Sequence, residues 1–228
     1  MIEITKATTF LISRWIHILI LLLALSCEKE QGTRITDIDG NEYDTVRIGT
    51  QVWMKENLRT TRLNDGSEIP LVPDATEWGL LKTPGYCWYG NNEAFFTLNH
   101  YGALYNYYAV STGKLCPEGW HVPTNNDWLE LSAYVGWDSG GGKLREAGTL
   151  NWATPNTDAT NETGFSALPG GSRNAYYKDY KNFRYQAYFW KANSNDTFSL
   201  NNFDSKVTTS YTMTHTNGAS VRCIMDKK

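Results

Sequence analysis

The chain has 228 residues, of which nine are Trp and fourteen are Tyr, and charged residues make up 20% of it. This composition is typical of a packed globular domain and excludes a disordered chain, which has few aromatic residues and a high net charge. The formal charge is −3 and no basic cluster is available to neutralise phosphates, so nucleic acid is excluded as a partner.

The first 26 residues have the composition of a signal peptide. Two basic residues precede an apolar run at 16–25, which is shorter than the roughly 20 residues that a transmembrane helix needs. The run ends at Ser26 and Cys27, and it resembles a bacterial lipobox with Ala24 where the motif has Leu. We therefore expect export and lipidation at Cys27. Ordinary cleavage near Ser26, leaving a free thiol, is the alternative.

Two further regions follow the signal. Residues 27–34 form a short polar tether, and residues 35–228 are long enough for one sizeable domain but too short for two. The predicted organisation is thus signal peptide, tether and a single domain.

The domain begins with predicted strands. Residues 35–48 alternate apolar and polar side chains around Asp39-Gly40-Asn41, which predicts two strands and a turn. The acidic residues there resemble the start of a calcium loop, but the later Glu of that loop is missing, so we interpret the segment as a turn. Strands are also predicted at 51–58 and 85–90, separated by a long surface connection at 59–78.

The clearest predicted helix starts after Thr124. Thr124 and Asp127 have the spacing of a relaxed capping box, and Gly136 ends an apolar stripe that includes Trp128. A shorter helix is predicted at 143–147. Residues 101–110 fit both a helix and a strand, and we favour a helix.

The C-terminal third is polar. A strand is predicted at 164–173, and 28 of the 49 residues in Ser172–Ser220 are Asn, Asp, Ser, Thr or Tyr. We expect this window to contribute few core residues and to form strands and loops that pack on a core built from the rest of the chain. A last strand is predicted at 219–225. The expected core residues are Trp53, Trp120, Trp128, Leu131, Phe165 and Leu168.

Rigid aromatic rings and adaptable amides on loops are typical of binding surfaces. The window supplies these ligand-binding candidates: Tyr176, Tyr177, Tyr180, Tyr185, Tyr188, Trp190, Asn193, Asn195 and Asn202. We select Trp190 as the exposed anchor. The alternative is that alternate aromatic residues simply point into the core.

Other chemistry has little support in the sequence. Cys87, Cys116 and Cys223 are disulfide candidates in an exported protein, with one left over. No C-x-x-C pair or histidine cluster accompanies them, so we expect no metal and no cofactor. His121 is expected to be a satisfied, partly buried residue.

Several ordered motifs resemble one family. They are DIDGNEYDTVRIGTQVWMKENLRTT, YGALYNYYAV, KLCPEGWHVPTNNDW, TNETGFSALPGGSR and SVRCIMD. Together they resemble the Fibrobacter succinogenes major paralogous domain of Gram-negative lipoproteins. The GWHVPTNNDW segment, with GFSALPGG and VRC, is also similar to the C-type-lectin-like group. This resemblance implies an α+β fold with a small twisted antiparallel sheet, two helices and a large irregular loop region that carries binding.

The resemblance also implies a disulfide between Cys116 and Cys223, with Cys87–Cys223 as the competing pair. Formylglycine-generating enzymes belong to the wider group, but they use a reactive cysteine pair that is not evident here. The tripeptides that bind calcium and sugar in lectins of this fold do not occur in the chain.

The expected function is therefore a non-enzymatic, lipid-anchored outer-membrane protein that faces outward and binds a glycan or a protein. Its only expected membrane contact is the lipid. A structural or assembly role in a surface appendage, and a formylglycine-generating type of activity, are the alternatives.

Overall fold

The computed structural model describes residues 33–227. The predicted signal peptide, Cys27 and most of the predicted tether lie outside these residues. The strands are β1 (Arg34–Thr36), β2 (Glu42–Ile48), β3 (Gln51–Met54), β4 (Tyr86–Cys87), β5 (Leu104–Tyr105), β6 (Trp120–His121), β7 (Ser172–Asn174), β8 (Asp179–Lys181), β9 (Gln186–Lys191), β10 (Ser194–Asn201), β11 (Thr208–Thr212) and β12 (Ile224–Met225). The helices are α1 (Ala75–Leu80), α2 (Glu93–Leu98), α3 (Tyr107–Val110), α4 (Asn125–Val135) and α5 (Gly140–Leu144).

The first sheet joins the two ends of the described chain. Its strand order is β1-β2-β3-β12-β6, and neighbouring strands are antiparallel. Ile224 pairs with Trp53 on one side and with His121 on the other. Because β12 is the last strand and lies between β3 and β6, the sheet is complete only when the end of the chain is in place.

The turn predicted at Asp39–Asn41 is confirmed. The Asp37 carboxylate accepts hydrogen bonds from the backbone N–H groups of Asp39 and Asn41, and from the hydroxyl of Tyr43 at 2.6 Å. An Asp side chain that bonds to the following backbone in this way stabilises a turn. Within residues 33–227 no group of three His, Cys, Asp or Glu residues is arranged to hold a metal ion.

The second sheet has the order β11-β10-β9 and comes from the window expected to contribute little core. That expectation is wrong. Strand β9 is buried on both faces, since Tyr188 and Trp190 belong to one apolar cluster while Ala187 and Phe189 belong to another. Phe198 of β10 joins the second cluster. Aromatic side chains thus fill the core in place of the missing aliphatic ones.

Helix α4 begins and ends as predicted. Thr124 and Asp127 form a complete capping box, and Gly136 follows the last residue. The Trp128 ring stacks on Phe198 with centroids 4.2 Å apart. The apolar face of α4 therefore packs against the second sheet.

Helix α5 lies earlier than predicted, at Gly140–Leu144 instead of 143–147. A Cβ atom on Gly141 would lie 2.4 Å from the carbonyl oxygen of Lys206, and one on Gly142 would lie 2.3 Å from that of Asp158. The helix starts on glycines because neighbouring backbone approaches it closely. Helix propensity alone predicts that three consecutive glycines disfavour a helix at this position.

Other predicted boundaries also change. The helix predicted at 101–110 is wrong for the first half of that segment. There β5 forms instead, and its Tyr105 pairs with Tyr86 and Ala219. Asn106 then caps the short helix α3. The predicted surface connection at 59–78 contains the first part of α1 and includes the buried Trp78. The strand predicted at 164–173 is reduced to a single bridge at Ala167 before β7 begins. The fold is nonetheless mixed α/β and mostly antiparallel sheet, with more helices than the two expected.

Cys116 and Cys223 are joined by a disulfide with a Cα–Cα distance of 6.0 Å, which is the pairing that the resemblance implied. Cys87 is a buried free thiol. The disulfide closes a loop with a sequence separation of 107. In the chain-entropy model, closure of a loop this long stabilises the fold by about 4–5 kcal/mol.

Three buried arginines bind backbone carbonyl groups: Arg145, Arg173 and Arg222. Arg145, for example, donates to the carbonyls of Thr157 and Asp204 and lies over the Trp152 ring. A guanidinium offers several donors in a fixed plane, so it can satisfy carbonyls that no strand or helix pairs. These arginines fix the long connections that have little regular secondary structure.

Candidate binding site

Three residues predicted to contact a ligand are buried, and this part of the prediction is wrong. Trp190 is 0% exposed, and its Nε1 donates to the carbonyl of Tyr105 at 2.7 Å. Tyr188 is buried in the same apolar cluster. The Asn202 side chain is buried and donates to the carbonyls of residues 153 and 154. Trp190 and Tyr188 therefore pack in the core, and Asn202 holds the loop at residues 153 and 154.

Two further candidates lie at the start of β10. Asn195 is half-buried, and its Nδ2 donates to the Met213 carbonyl at 2.6 Å. Asn193 is exposed in the turn between β9 and β10, where its φ of +61° suits Asn better than most residues. Asn195 therefore links β10 to the residue that follows β11, and Asn193 stabilises a turn that is exposed to solvent.

Of the remaining tyrosine candidates, Tyr176, Tyr177 and Tyr185 are exposed, whereas Tyr180 is half-buried. Tyr176 and Tyr177 are 83% and 68% exposed in the turn between β7 and β8, which we call the hairpin tip (residues 175–178). Their ring centroids are 4.9 Å apart and the ring planes meet at 88°. Edge-to-face contact of this kind is a favourable arrangement of aromatic rings. The two rings form a right-angled surface that faces solvent.

Arg173 fixes the strands below the hairpin tip. Its guanidinium lies 4.6 Å from the Trp78 ring centroid and 5.2 Å from that of Tyr180. It donates to the carbonyls of Val72 and Pro73 at 2.6 and 2.8 Å. The hairpin is thereby held against the segment that precedes α1.

The turn is also held by hydrogen bonds of its own. The Tyr177 N–H donates to Asn174 Oδ1 at 2.8 Å, and the Ala175 N–H donates to Asn217 Oδ1 at 3.1 Å. The Lys178 ammonium donates to the Thr76 hydroxyl at 3.1 Å. A surface that is already ordered loses less conformational entropy when it binds.

The electrostatics beneath the hairpin tip do not favour a reactive thiol. Burial raises the pKa of the Cys87 thiol to about 11, although Arg173 and Tyr180 are close to it. Burial also raises the pKa of Tyr180. A thiol needs a lowered pKa to be an effective nucleophile at neutral pH. Cys87 is therefore a packing residue in this environment.

Tyr185 belongs to a different exposed region, around Arg184. The Arg184 guanidinium donates to the carbonyls of Thr149 and Leu150 at 3.0 Å each and to that of Asn151 at 3.2 Å. Leu150, at the tip of this loop, is 85% exposed. The sequence offers only a weak signal for it, an isolated aliphatic residue between polar ones. Leu80 of α1 is also exposed. It follows Gly79, which lies close to the backbone of Ala175 in the hairpin tip.

His121 connects α4 with the end of β12. Its Nδ1 lies 2.6 Å from the Asp226 carboxylate and its Nε2 lies 3.2 Å from that of Asp127. The hydrogen bonds with Asp127 and Asp226 raise the pKa of His121. Burial opposes ionisation of Asp127, but bonds from His121 and Thr124 lower its pKa to about 2. Both imidazole nitrogens are occupied, so the cluster has a structural role.

Within residues 33–227 no helix is both long and apolar enough to cross a membrane. Searches of curated proteins and of solved structures found no match. The model of the Fibrobacter succinogenes major domain matches residues 46–225, a range that contains the disulfide, the hairpin tip and both larger sheets apart from β1 and the start of β2. Since this range is most of the chain, the protein belongs to the Fibrobacter succinogenes major domain family.

Proposed function

We propose that the protein is a non-enzymatic binding protein, exported and anchored to the outer face of the outer membrane by a lipid on Cys27. Its ligand is a glycan or another protein. Tyr176 and Tyr177 at the hairpin tip make the principal contacts, and the interaction uses no metal or cofactor.

The observation that carries this proposal is the exposure of two adjacent tyrosine rings on a hairpin that buried contacts fix in place. Single exposed apolar residues are normal on protein surfaces. Two adjacent exposed rings supply a large contact area, while each ring has few rotatable bonds and carries a hydroxyl for hydrogen bonding. The Arg173 contacts supply the preorganisation that favours binding.

The finer fold assignment is part of the proposal: we propose that the domain is C-type-lectin-like. Its support is the presence of the first and last strands in one small antiparallel sheet, and the long connections from which the hairpin tip projects. In such a domain the sheets and α4 supply stability, and the connections carry binding.

Export and anchoring rest on different observations. The buried Cys116–Cys223 disulfide suits an oxidising compartment, and the apolar run at 16–25 followed by Cys27 suits a lipoprotein signal. The formylglycine-generating alternative needs two reactive thiols. It has less support because Cys87 is buried with a raised pKa and the other two cysteines of the domain are bonded.

The test compares the parent chain with the Tyr176→Ser/Tyr177→Ser double variant on glycan and protein arrays. Tyr134→Ser is the matched control, because Tyr134 is also an exposed tyrosine but lies on α4. We expect all three proteins to melt at nearly the same temperature, and only the double variant to lose its array signals. Retention of every signal by a folded double variant would overturn the assignment of the hairpin tip.

A further inference from the structure

The hairpin formed by β7 and β8 has two different faces. In its strand register Arg173 lies opposite Tyr180, and Asn174 lies opposite Asp179. The Arg173 guanidinium packs over the rings of Trp78 and Tyr180, so this face of the hairpin is turned towards α1. Because side chains alternate along a strand, Asn174 and Asp179 lie on the opposite face.

That opposite face carries polar groups, and we call it the polar face (Asn174, Asp179 and Lys181). Lys181 belongs to it because it is two positions after Asp179 on the same strand. The two side chains form an ion pair in which Nζ and Oδ2 are 2.6 Å apart, and they are 49% and 39% exposed. The Lys181 ammonium also lies 5.9 Å from the centroid of the Tyr177 ring. The polar face therefore adjoins the rings of the hairpin tip.

The two rings at the hairpin tip offer a small contact area. An aromatic side chain buries about 150–250 Å², so Tyr176 and Tyr177, at exposures of 83% and 68%, together supply roughly 300 Å². A stable protein complex needs about 800 Å² from each partner. A sugar ring, in contrast, is about as large as one aromatic ring and packs against its face. The available area therefore favours a glycan over a protein.

The ion pair beside the rings supplies hydrogen-bonding groups of both kinds. An ammonium has three donors, so Lys181 keeps two beyond the one directed at Asp179, and each carboxylate oxygen is an acceptor. The Oδ1 atom of Asp179 is covered and has no hydrogen-bond partner within residues 33–227. An unsatisfied oxygen of this kind costs free energy, and a hydroxyl donor removes that cost. A donor and an acceptor side by side suit two adjacent hydroxyl groups of a sugar.

The charges around the hairpin tip are balanced. Asp179 neutralises Lys181, since the two charged groups are in direct contact. The other lysine, Lys178, lies near the carboxylate of Asp74: hydrogen bonds from the first N–H groups of α1, and also the charge of Lys178, lower the pKa of Asp74. Anionic ligands are held by charge-assisted hydrogen bonds from Lys or Arg, and both lysines here already face a carboxylate. The surface therefore suits an uncharged ligand.

We propose that the hairpin tip and the polar face together bind a neutral glycan, in which a sugar ring packs against the tyrosine rings and its hydroxyl groups bond to Asp179 and Lys181. This inference rests on the proposed function, because it assigns the chemical class of the ligand at the same site. A site that hydrogen-bonds the hydroxyl groups of its ligand rejects analogues that lack them. Asp179 and Lys181 thus determine specificity, while the rings supply contact area.

The experiment applies the full-length protein to a glycan array that carries neutral, sialylated and sulfated glycans. We expect signals on neutral glycans, and Asp179→Ala/Lys181→Ala should reduce them at least tenfold. Asp65→Ala/Lys114→Ala is the matched control, because this ion pair is 2.8 Å long with 37% and 54% exposure, and it should leave the signals within twofold. Exposed ion pairs contribute little to stability, so both variants should melt like the parent chain. Lys181→Ala alone provides the same test if the double variant unfolds.

Three results would overturn the inference: no signal on neutral glycans, signals on acidic glycans only, or neutral signals that persist in folded Asp179→Ala/Lys181→Ala protein. Leu80→Ser tests for a protein ligand, because Leu80 is exposed on α1, away from the polar face, and a larger partner would cover it. Binding on a protein array that requires Leu80 would replace the glycan with a protein. None of these results removes the hairpin tip from the site. The proposed function fails separately, when Tyr176→Ser/Tyr177→Ser retains every signal.

Discussion

Arg222 donates to Oδ1 of Asn57 through both Nε (3.2 Å) and Nη2 (2.6 Å), although 165 positions separate the two residues in sequence. Both side chains are fully buried. Asn57 in turn donates to the carbonyl of Tyr101 at 2.8 Å. The pair thereby connects the segment after β3, the segment before β5 and the C-terminal segment.

Replacing Asn57 should therefore destabilise the fold strongly. Asn57→Leu removes the side-chain acceptor of Arg222 Nε and Nη2 and leaves the guanidinium only its bonds to the carbonyls of Phe165 and Ser166. Loss of these hydrogen bonds to a buried charge should lower the free energy of unfolding by about 3 kcal/mol. Urea denaturation measures this change. Asn126→Leu, at an exposed position in α4, is the matched control and should stay within about 0.5 kcal/mol. Equal effects of the two changes would contradict the role of Asn57.

Trp190 should behave as a core residue, like Trp128. Both side chains are 0% exposed, so truncation of either one to Ala should cost about 3–5 kcal/mol. Trp137→Ala removes a half-exposed ring and should cost much less. Thermal melting of the three variants distinguishes these cases. A Trp190→Ala protein as stable as the parent chain would return Trp190 to the list of exposed candidates.

The His121 cluster should make stability depend on pH. The raised pKa of His121 gives stabilisation that is complete below its unfolded value of about 6.5 and is lost as pH rises through the folded pKa. The lowered pKa of Asp127, about 2, gives stabilisation that is complete above about 4 and is lost as pH falls towards 2. The largest contribution therefore lies between about pH 4 and 6.5.

Stability curves of the parent chain and His121→Gln measure this effect. Their difference should be greatest near pH 5–6 and should shrink at alkaline pH. His215→Gln is the control, because the His215 ring stacks on Tyr107 and is not held between two carboxylates. A difference that stays constant from pH 5 to 9 would show that His121 does not act through its charge.

Removal of the disulfide should lower stability without changing the reactivity of Cys87. The Cys116→Ala/Cys223→Ala variant should lose about 4–5 kcal/mol, which denaturant titration measures. Cys87 should react with a thiol reagent only after unfolding, because it is buried in the native protein. Peptide mapping that links Cys87 to either of the other two cysteines would show that the pairing is different.

The lipid anchor is tested at Cys27. Cys27→Ser should move the protein from the membrane fraction to the soluble exported fraction, because the proposed anchor is a lipid on that thiol. Detergent partitioning of cell fractions measures the shift. Ser26→Ala, which keeps the cysteine and a small residue before it, is the control and should remain in the membrane. A Cys27→Ser protein with unchanged partitioning would rule out this anchor.

Several features followed from the sequence because they depend on nearby residues. The Thr124–Asp127 capping box and the Asp39–Asn41 turn are formed by side chains that bond to backbone two to four positions away, so their sequence spacing is sufficient to predict them. The family resemblance likewise identified the domain and implied the Cys116–Cys223 pair.

Burial in the C-terminal window depended on strand pairing instead. Alternation along β9 correctly separates Tyr188 and Trp190 from Ala187 and Phe189, but sequence alone does not show that apolar clusters lie on both sides of the strand. The side chains that remain exposed, Tyr176 and Tyr177, do so because Arg173 holds their hairpin against the distant carbonyls of residues 72 and 73. Local patterns thus determined where turns and the main helix begin. Only contacts between distant segments decided which aromatic residues form the core and which ones remain exposed.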